Sequence, residues 1–418
     1  MKVSIYTLGC KVNQYESNGI LQKFKEKGYE IVPFEEYADI YIVNTCTVTN
    51  ESDRKCRQVI RKAKQQNENA VLIVVGCYAN VAKKELEKIS GIDIILDNTE
   101  KAYILNYLED HIEKENNKIE YTEYGDITYI EKTRAMIKVQ DGCDRFCTYC
   151  IIPYARGRVR SRKLENAISE INKIAKNGIK EVVITGIHLA SYKDENYELI
   201  DLLEEINKID GIERIRLGSL EPKLITLEFI QRLSELEKIC DQFHLSLQSG
   251  SDSVLRRMNR RYTTQEFFES VEIIKKYYPN VNLTTDIIVG FPGETEEEFN
   301  ETYKFIEKIN FFMIHVFRYS PKKGTKAAIM ENQITNAIKE ERSNKLISLS
   351  KEVQKNILNL YINKEIEVLF EETNNGYTKG HTNNYIVVNI KENKEVENLI
   401  KRVKILAEEN NELIGKLV

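Results

Sequence analysis

Eight cysteines stand at positions 10, 46, 56, 77, 143, 147, 150 and 240 of this 418-residue chain. Cys143, Cys147 and Cys150 form a C-x3-C-x2-C run in QDGCDRFCTYCIIPYARGRVRSR. Zinc usually takes four ligands, commonly as two CxxC pairs, and this run offers no fourth Cys or His. Three close thiolates suit an iron–sulfur cluster with one iron left open to bind and activate a cofactor. A zinc knuckle or buried thiols are the alternatives. Cys10, Cys46 and Cys77 are 36 and 31 residues apart, so no local motif joins them. Each follows an apolar run: KVSIYT (2–7), DIYIVN (39–44) or VLIVV (71–75). Read as parallel strands, these runs put the three thiols on one sheet edge, where loops converge. Two readings stay open there, a shared metal centre or three independent buried cysteines. Cys56, within a helix, and Cys240, at the end of one, read as incidental thiols.

The elements that must position these residues fall into segments. Residues 1–110 alternate buried strands with amphipathic helices, with a fourth strand at 93–97, which predicts a doubly wound parallel sheet. Residues 111–133 are polar and aperiodic and read as a linker with at most one short strand. Residues 134–334 repeat a strand–helix unit, with strands at 135–140, 181–186, 213–218, 243–248, 283–289 and 312–319. Six strands are two short of a closed eight-stranded barrel, so a partial, open barrel is expected, its function at the C-terminal strand ends. Residues 335–362 read as one long connecting helix. Residues 363–418 read as a small all-β module, too small for much core of its own.

C-x3-C-x-aromatic-C, with Tyr149 before the last cysteine, resembles the radical S-adenosylmethionine (SAM) superfamily. The resemblance implies that Cys143, Cys147 and Cys150 hold a [4Fe–4S] cluster whose fourth iron is chelated by SAM. One electron then releases a 5′-deoxyadenosyl radical, and the protein positions the reactants. The loops TGIH (185–188), GSLEP (218–222), Gln248-Ser249-Gly250 and GFPGET (290–295) follow later strands and suit a SAM site. They make Gly186, Ser219, Glu221 and Gln248 candidate SAM contacts.

TLGCKVNQYES, NTCTVTNESDRK and VVGCYA resemble the N-terminal domain of the methylthiotransferases. Those proteins follow this domain with a radical SAM core and a TRAM module, an order that matches this chain end to end. The resemblance implies that Cys10, Cys46 and Cys77 bind a second [4Fe–4S] cluster carrying the sulfur to be inserted. GCKVNQYES and HVFRYSPKKGTKAA (315–328) are similar to the branch that acts on threonylcarbamoyladenosine at tRNA position 37. The implied reaction consumes two SAM molecules, one giving a methyl group and one a radical. The C2–H of adenine is non-acidic, so a side-chain base cannot open it. The enzyme alternatives are methylthiolation of isopentenyladenosine or of a ribosomal-protein aspartate. The non-enzyme alternative is a metal-containing RNA-binding protein.

Lys and Arg number 61 and Asp and Glu 65, a net charge of −4, so any RNA contact must use local positive charge. Three basic clusters stand out. The first is Arg54, Lys55, Arg57, Arg61, Lys62 and Lys64. The second is Arg156, Arg158, Arg160, Arg162 and Lys163. The third is Arg256, Arg257, Arg260 and Arg261. Arginine suits phosphate through its planar donor fork, and the second and third clusters are the stronger candidates for gripping a tRNA anticodon stem-loop. Solvated helix faces are the alternative. In the C-terminal module Tyr377, Lys379, His381 and Tyr385 are candidates for base stacking and phosphate contact. The start MKVSIYTLGC lacks the pattern of a signal peptide, and no apolar run approaches a membrane span. The expectation is a cytoplasmic protein that binds tRNA, takes electrons from a flavodoxin- or ferredoxin-type donor and needs neither membrane nor DNA.

Overall fold

The computed structural model describes residues 1–109, 120–128 and 133–418. At the N-terminus, strands β1 (Lys2–Thr7), β2 (Glu30–Ile31), β3 (Ile40–Thr45), β4 (Val71–Gly76) and β5 (Ile94–Leu96) form one parallel sheet, ordered β2-β1-β3-β4-β5. Alternate residues of β3 feed opposite cores. Tyr41 and Val43 pack with Ile60 and Ala63 of helix α2 (Asn50–Gln66). Ile40 and Ile42 pack with Tyr15, Ile20 and Phe24 of helix α1 (Lys11–Glu26). Burial on both faces explains why these strands read as unbroken apolar runs. The helix expected near 80–89 is two short ones, α3 (Cys77–Val81) and Lys83–Leu86. The edge strand β2 has two residues, too few to carry a period.

The central domain holds six parallel strands: Arg134–Asp141, Glu181–Gly186, Arg214–Leu217, Gln242–Leu245, Asn282–Val289 and Met313–Arg318. The third breaks at Gly218. Its first part pairs with the second strand, and Ser219–Leu220 pairs with the fourth. Among the described residues the first and sixth strands do not pair, so the barrel is open. Outward positions such as Ile137, Val182, Ile215 and Phe243 pack under the helical layer. The opposite face carries Lys138, Gln140, Glu181, Arg216, His244, Asp286 and His315, a polar lumen.

Helix α1 packs along the first and second barrel strands beside the open seam. Glu16 of α1 is fully buried there between Lys101 (2.5 Å), Lys138 (2.9 Å) and Arg156 (3.0 Å). Residues 120–128 contain no strand and do more than link. Tyr124 and Ile127 are buried against Gly19 of α1, and the Tyr121 hydroxyl donates to the Lys138 carbonyl at 2.6 Å. The rest of the expected linker lies outside the described residues.

Helix Asn336–Asn359 leads to a closed five-stranded barrel formed by residues 365–417. Its strand Glu412–Leu417 was not expected; charged and glycine residues hide its alternation. This module docks on the N-terminal ends of the central strands. Arg214 donates to the His381 carbonyl (2.9 Å), Arg216 to the Asn383 carbonyl (3.1 Å) and Asn282 to the Asn384 carbonyl (2.9 Å). The Tyr385 ring lies 4.7 Å from the Arg216 guanidinium and 5.2 Å from that of Arg134. The module therefore plugs the bottom of the lumen and leaves the upper mouth free.

Candidate active site

Cys10, Cys46 and Cys77 follow the ends of β1, β3 and β4, and the structure brings them to one mouth. Two glycines make this convergence possible. Gly9 (φ +104°) lets its loop approach Cys46 so closely that a Cβ would sit 2.8 Å from Cys46 Cβ. Gly76 (φ +99°) lies where a Cβ would meet the Thr45 carbonyl at 2.6 Å. Both backbones are left-handed, a region open to glycine at little cost. Cys10 caps α1, a 16-residue helix whose N-terminus favours negative charge. Burial pushes the Cys46 thiol up to about 11. Asn98 Nδ2 lies 3.6 Å from Cys77 Sγ and also donates to the Ala155 carbonyl at 2.7 Å, tying this mouth to the barrel.

Cys143, Cys147 and Cys150 sit on the loop after the first barrel strand and line a cavity. Arg260 Nη1 donates to Cys147 Sγ at 3.4 Å, and the Arg145 amide to Cys143 Sγ at 3.5 Å. Burial raises the Cys150 thiol to about 12. Among the described residues neither triad brings three sulfurs within 4.8 Å of one another. Tetrahedral zinc, at about 2.3 Å per bond, would draw them to roughly 3.8 Å. Three thiols with no fourth protein ligand suit a four-iron cluster with one open iron better than one tetrahedral ion.

The same cavity is lined by Ser219, Glu221 and Gln248, three of the four expected cofactor contacts. Glu221 is the hub. Burial opposes its ionisation, but the hydrogen bond from His188 (3.0 Å) and the charges of Arg260 and Arg145 hold its carboxyl near about 2. Gln248 is buried in a left-handed backbone (φ +70°), with its amide on the Asp286 carbonyl at 2.8 Å. Gly186 does not line the cavity. It faces Gln140, where a Cβ would come within 2.9 Å. Gln140 in turn accepts from the His188 amide (2.6 Å) and donates to the Gly142 carbonyl (2.8 Å), so Gly186 packs on a side chain that braces two loops of the site. His188, Arg145 and Gln140 were missed, because only the fold shows that they meet.

Between the barrel triad and the loop after Cys46 lies another cavity, mostly apolar, lined by Val48 and Thr49 from the N-terminal domain and by Tyr149, Cys150, Ile151, Ile288 and Phe317 from the barrel, with Gln248, Asp286 and Arg318 as polar groups. Tyr149, Cys150 and Gln248 line both cavities and form their common wall. A substrate held here would touch both halves of the molecule.

Several expected RNA contacts are overturned by burial. Arg156 is fully buried between Glu16 and Asp141, each 3.0 Å away. Arg160 is buried and donates to the Arg156 carbonyl, and Arg162 is buried between Glu123 and Glu170. Arg260 belongs to the cysteine site. Arg257 is engaged by Glu298 at 2.6 Å. Arg158, Arg256 and Arg261 remain exposed, although Arg158 pairs with Asp144. In the first cluster Arg54, Lys62 and Lys64 pair with Glu51, Glu35 and Asp93, the pattern of a solvated face. Lys379 pairs with Glu412, His381 with Glu371, and Tyr385 is the lumen plug, which leaves Tyr377 exposed.

An open six-stranded barrel with three cysteines at its first strand end defines a radical SAM protein, and the comparisons agree. A sequence model of the radical SAM superfamily matches residues 137–306, and one described as uncharacterized protein family UPF0004 matches residues 2–97. The chain is similar to threonylcarbamoyladenosine tRNA methylthiotransferase MtaB of Bacillus subtilis, 42% identical over 97% of this chain and 93% of that protein. It is 34% identical to a tRNA-2-methylthio-N(6)-dimethylallyladenosine synthase of Alkaliphilus oremlandii, over 100% of this chain and 93% of that protein. Among solved structures, the radical SAM methyltransferase TsrM of Kitasatospora setae, with cobalamin and a [4Fe–4S] cluster bound, shares the fold. Its TM-score is 0.57 at 14% identity, covering 78% of this chain and 74% of that one. The chain belongs to the radical SAM tRNA methylthiotransferase family. Among the described residues no helix is long and apolar enough to cross a membrane.

Proposed function

We propose that this protein methylthiolates C2 of N6-threonylcarbamoyladenosine at tRNA position 37, in the cytoplasm. In this reading Cys143, Cys147 and Cys150 hold the cluster that binds SAM, and Cys10, Cys46 and Cys77 hold a second [4Fe–4S] cluster. The observation that carries it is the mostly apolar cavity lined by Cys150 of the barrel triad and closed from the N-terminal domain by Val48 and Thr49, just after Cys46. The substrate branch is supported by the name of the Bacillus subtilis relative. When bound, the first cluster and SAM supply a hydrogen-abstracting radical, and the second cluster supplies the sulfur. The chain's own residues do the rest. Arg260 and the Arg145 amide donate to cysteine sulfurs, and ionised Glu221 holds Arg145, His188 and Arg260 in place. Tyr149, Ile151, Ile288 and Phe317 keep the space between the triads apolar, which shields a radical from water. Exposed Arg256 and Arg261 are free of the buried pairings that engage Arg257 and Arg260 and can meet RNA phosphates. A flavodoxin- or ferredoxin-type protein supplies the electron. Mass spectrometry of tRNA nucleosides from a deletion strain tests the reading. The 2-methylthio derivative of threonylcarbamoyladenosine should vanish while the isopentenyl counterpart persists, and the reverse pattern contradicts the branch assignment.

A further inference from the structure

Below the apolar cavity the lumen becomes polar, and some of its polar groups are unmatched. His244, Asp286 and His315 lie on the lumen face of the fourth, fifth and sixth strands, with donor atoms within 4.8 Å of one another. Asp286 and His315 are direct partners in register. His244 Nδ1 meets Thr284 Oγ1 at 3.0 Å, and its Nε2 faces Asp286 Oδ2 at 3.3 Å. That Nε2 is buried without a hydrogen bond. Asp286 also lines the cavity between the triads, so this group forms the cavity floor.

Lys11 is the first residue of α1, the helix that packs along the first and second barrel strands. Its charge bears on His315, and those of Arg216, Arg134 and Glu181 bear on it. The arginines are matched: Arg216 by Glu181 at 2.8 Å and Arg134 by Glu371 at 3.0 Å. Lys11 has no hydrogen bond or ion pair among the described residues. With both arginines matched, the charges left to face this group are Lys11 and Asp286, one suited to an anionic group and one to N–H and hydroxyl donors.

We propose that this floor is the subsite for the threonylcarbamoyl group of the substrate, with Lys11 and His315 receiving its carboxylate and Asp286 and His244 its hydroxyl and ureido N–H groups. This rests on the substrate reading above and gives it a physical basis. The group is an anion with a hydroxyl and N–H donors, and each finds an opposite here. An isopentenyl group in the same place would offer Lys11, His315 and Asp286 no hydrogen-bond partner, and a site built to bond polar groups discriminates against the analogue that lacks them.

The test uses the reconstituted holoenzyme and two anticodon stem-loops, one carrying threonylcarbamoyladenosine and one its neutral methyl ester. The wild type should prefer the acid by about ten- to a hundredfold in kcat/KM, the size expected for one charge-assisted hydrogen bond. Lys11→Met should bring the two substrates to within about twofold. Because Lys11 adjoins Cys10, iron content is read in parallel. His315→Leu, on another domain, should weaken the same preference. Turnover of the acid with no preference over the ester, or a preference unchanged by both variants, overturns the subsite alone. Turnover of an isopentenyladenosine stem-loop only overturns the substrate reading and the subsite together.

Discussion

The barrel triad occupies one eight-residue stretch, 143–150, whereas the N-terminal triad is gathered from three strand ends across 68 residues, 10–77. A single loop can hold the first in shape with help from one distant side chain, Arg260. The second exists only if β1, β3 and β4 stand in register and Gly9 and Gly76 let the loops touch. The environments differ too. Cys147 receives a guanidinium, while Cys46 is shut away from solvent and its thiol is raised to about 11. A local site can be changed by local substitution, and a dispersed one fails whenever its sheet is disturbed.

Five variants break or sharpen that contrast. The largest effect is expected from replacing Cys143, Cys147 and Cys150 with Ala. Both 5′-deoxyadenosine formation and tRNA modification should fall to background, because Ala offers no donor to iron. Retained deoxyadenosine formation would show that SAM is cleaved elsewhere. Next comes Gly76→Ala, which adds a Cβ where the Thr45 carbonyl lies and strains a left-handed backbone by about 1–3 kcal/mol. It should remove roughly half the iron, the share of one of two clusters, and abolish methylthio transfer while deoxyadenosine is still made. Unaltered iron content would mean that the dispersed site tolerates distortion.

Glu16→Gln probes the joint between the regions. Removing the carboxylate leaves Lys101 buried without a charged partner and leaves Lys138 and Arg156 only Asp141, which should cost about 3–5 kcal/mol and lower Tm. Burial raises the Glu16 carboxyl, but Arg156, Lys101 and Lys138 overcome this and hold it well below its usual range. Its folded pKa is thus depressed, so its contribution is present above the unfolded value of about 4.3 and is lost as pH falls through the folded value. The variant should show a weaker fall in stability across that acid window, and an identical acid profile would refute the assignment. The smallest effects separate Arg260 from its neighbours. Arg260→Lys should slow deoxyadenosine formation by about tenfold through loss of the planar donor fork. Arg256→Ala with Arg261→Ala should lower the salt slope of tRNA binding by roughly one for each phosphate no longer neutralised. If Arg260→Lys instead changes only tRNA affinity, its place is on the RNA surface after all.

Legibility followed the same division. C-x3-C-x2-C is local, so its position and its cluster reading are visible in the chain itself. The three N-terminal cysteines follow recognisable strands, but spacing could not choose between convergence and independence; Gly9 and Gly76 make the difference through contacts between distant residues. Basic clusters misled for a related reason. Arg156, Arg160 and Arg162 read as a surface run, yet their partners Glu16, Asp141, Glu123 and Glu170 come from elements far apart. The same holds for Tyr385 and His381, polar aromatic residues typical of an RNA surface that instead seal the lumen. The polar face of the barrel strands was written in their alternation, but which of those charges remain unmatched depends on where α1 and the C-terminal module dock.

Division of labour between the triads is tested most directly by product analysis of the Cys10→Ala, Cys46→Ala, Cys77→Ala triple variant after anaerobic reconstitution, with threonylcarbamoyladenosine tRNA and SAM. The account predicts continued release of 5′-deoxyadenosine with no 2-methylthio nucleoside. Methylthiolated product from this variant would contradict it, because the sulfur would then come from somewhere other than the N-terminal site.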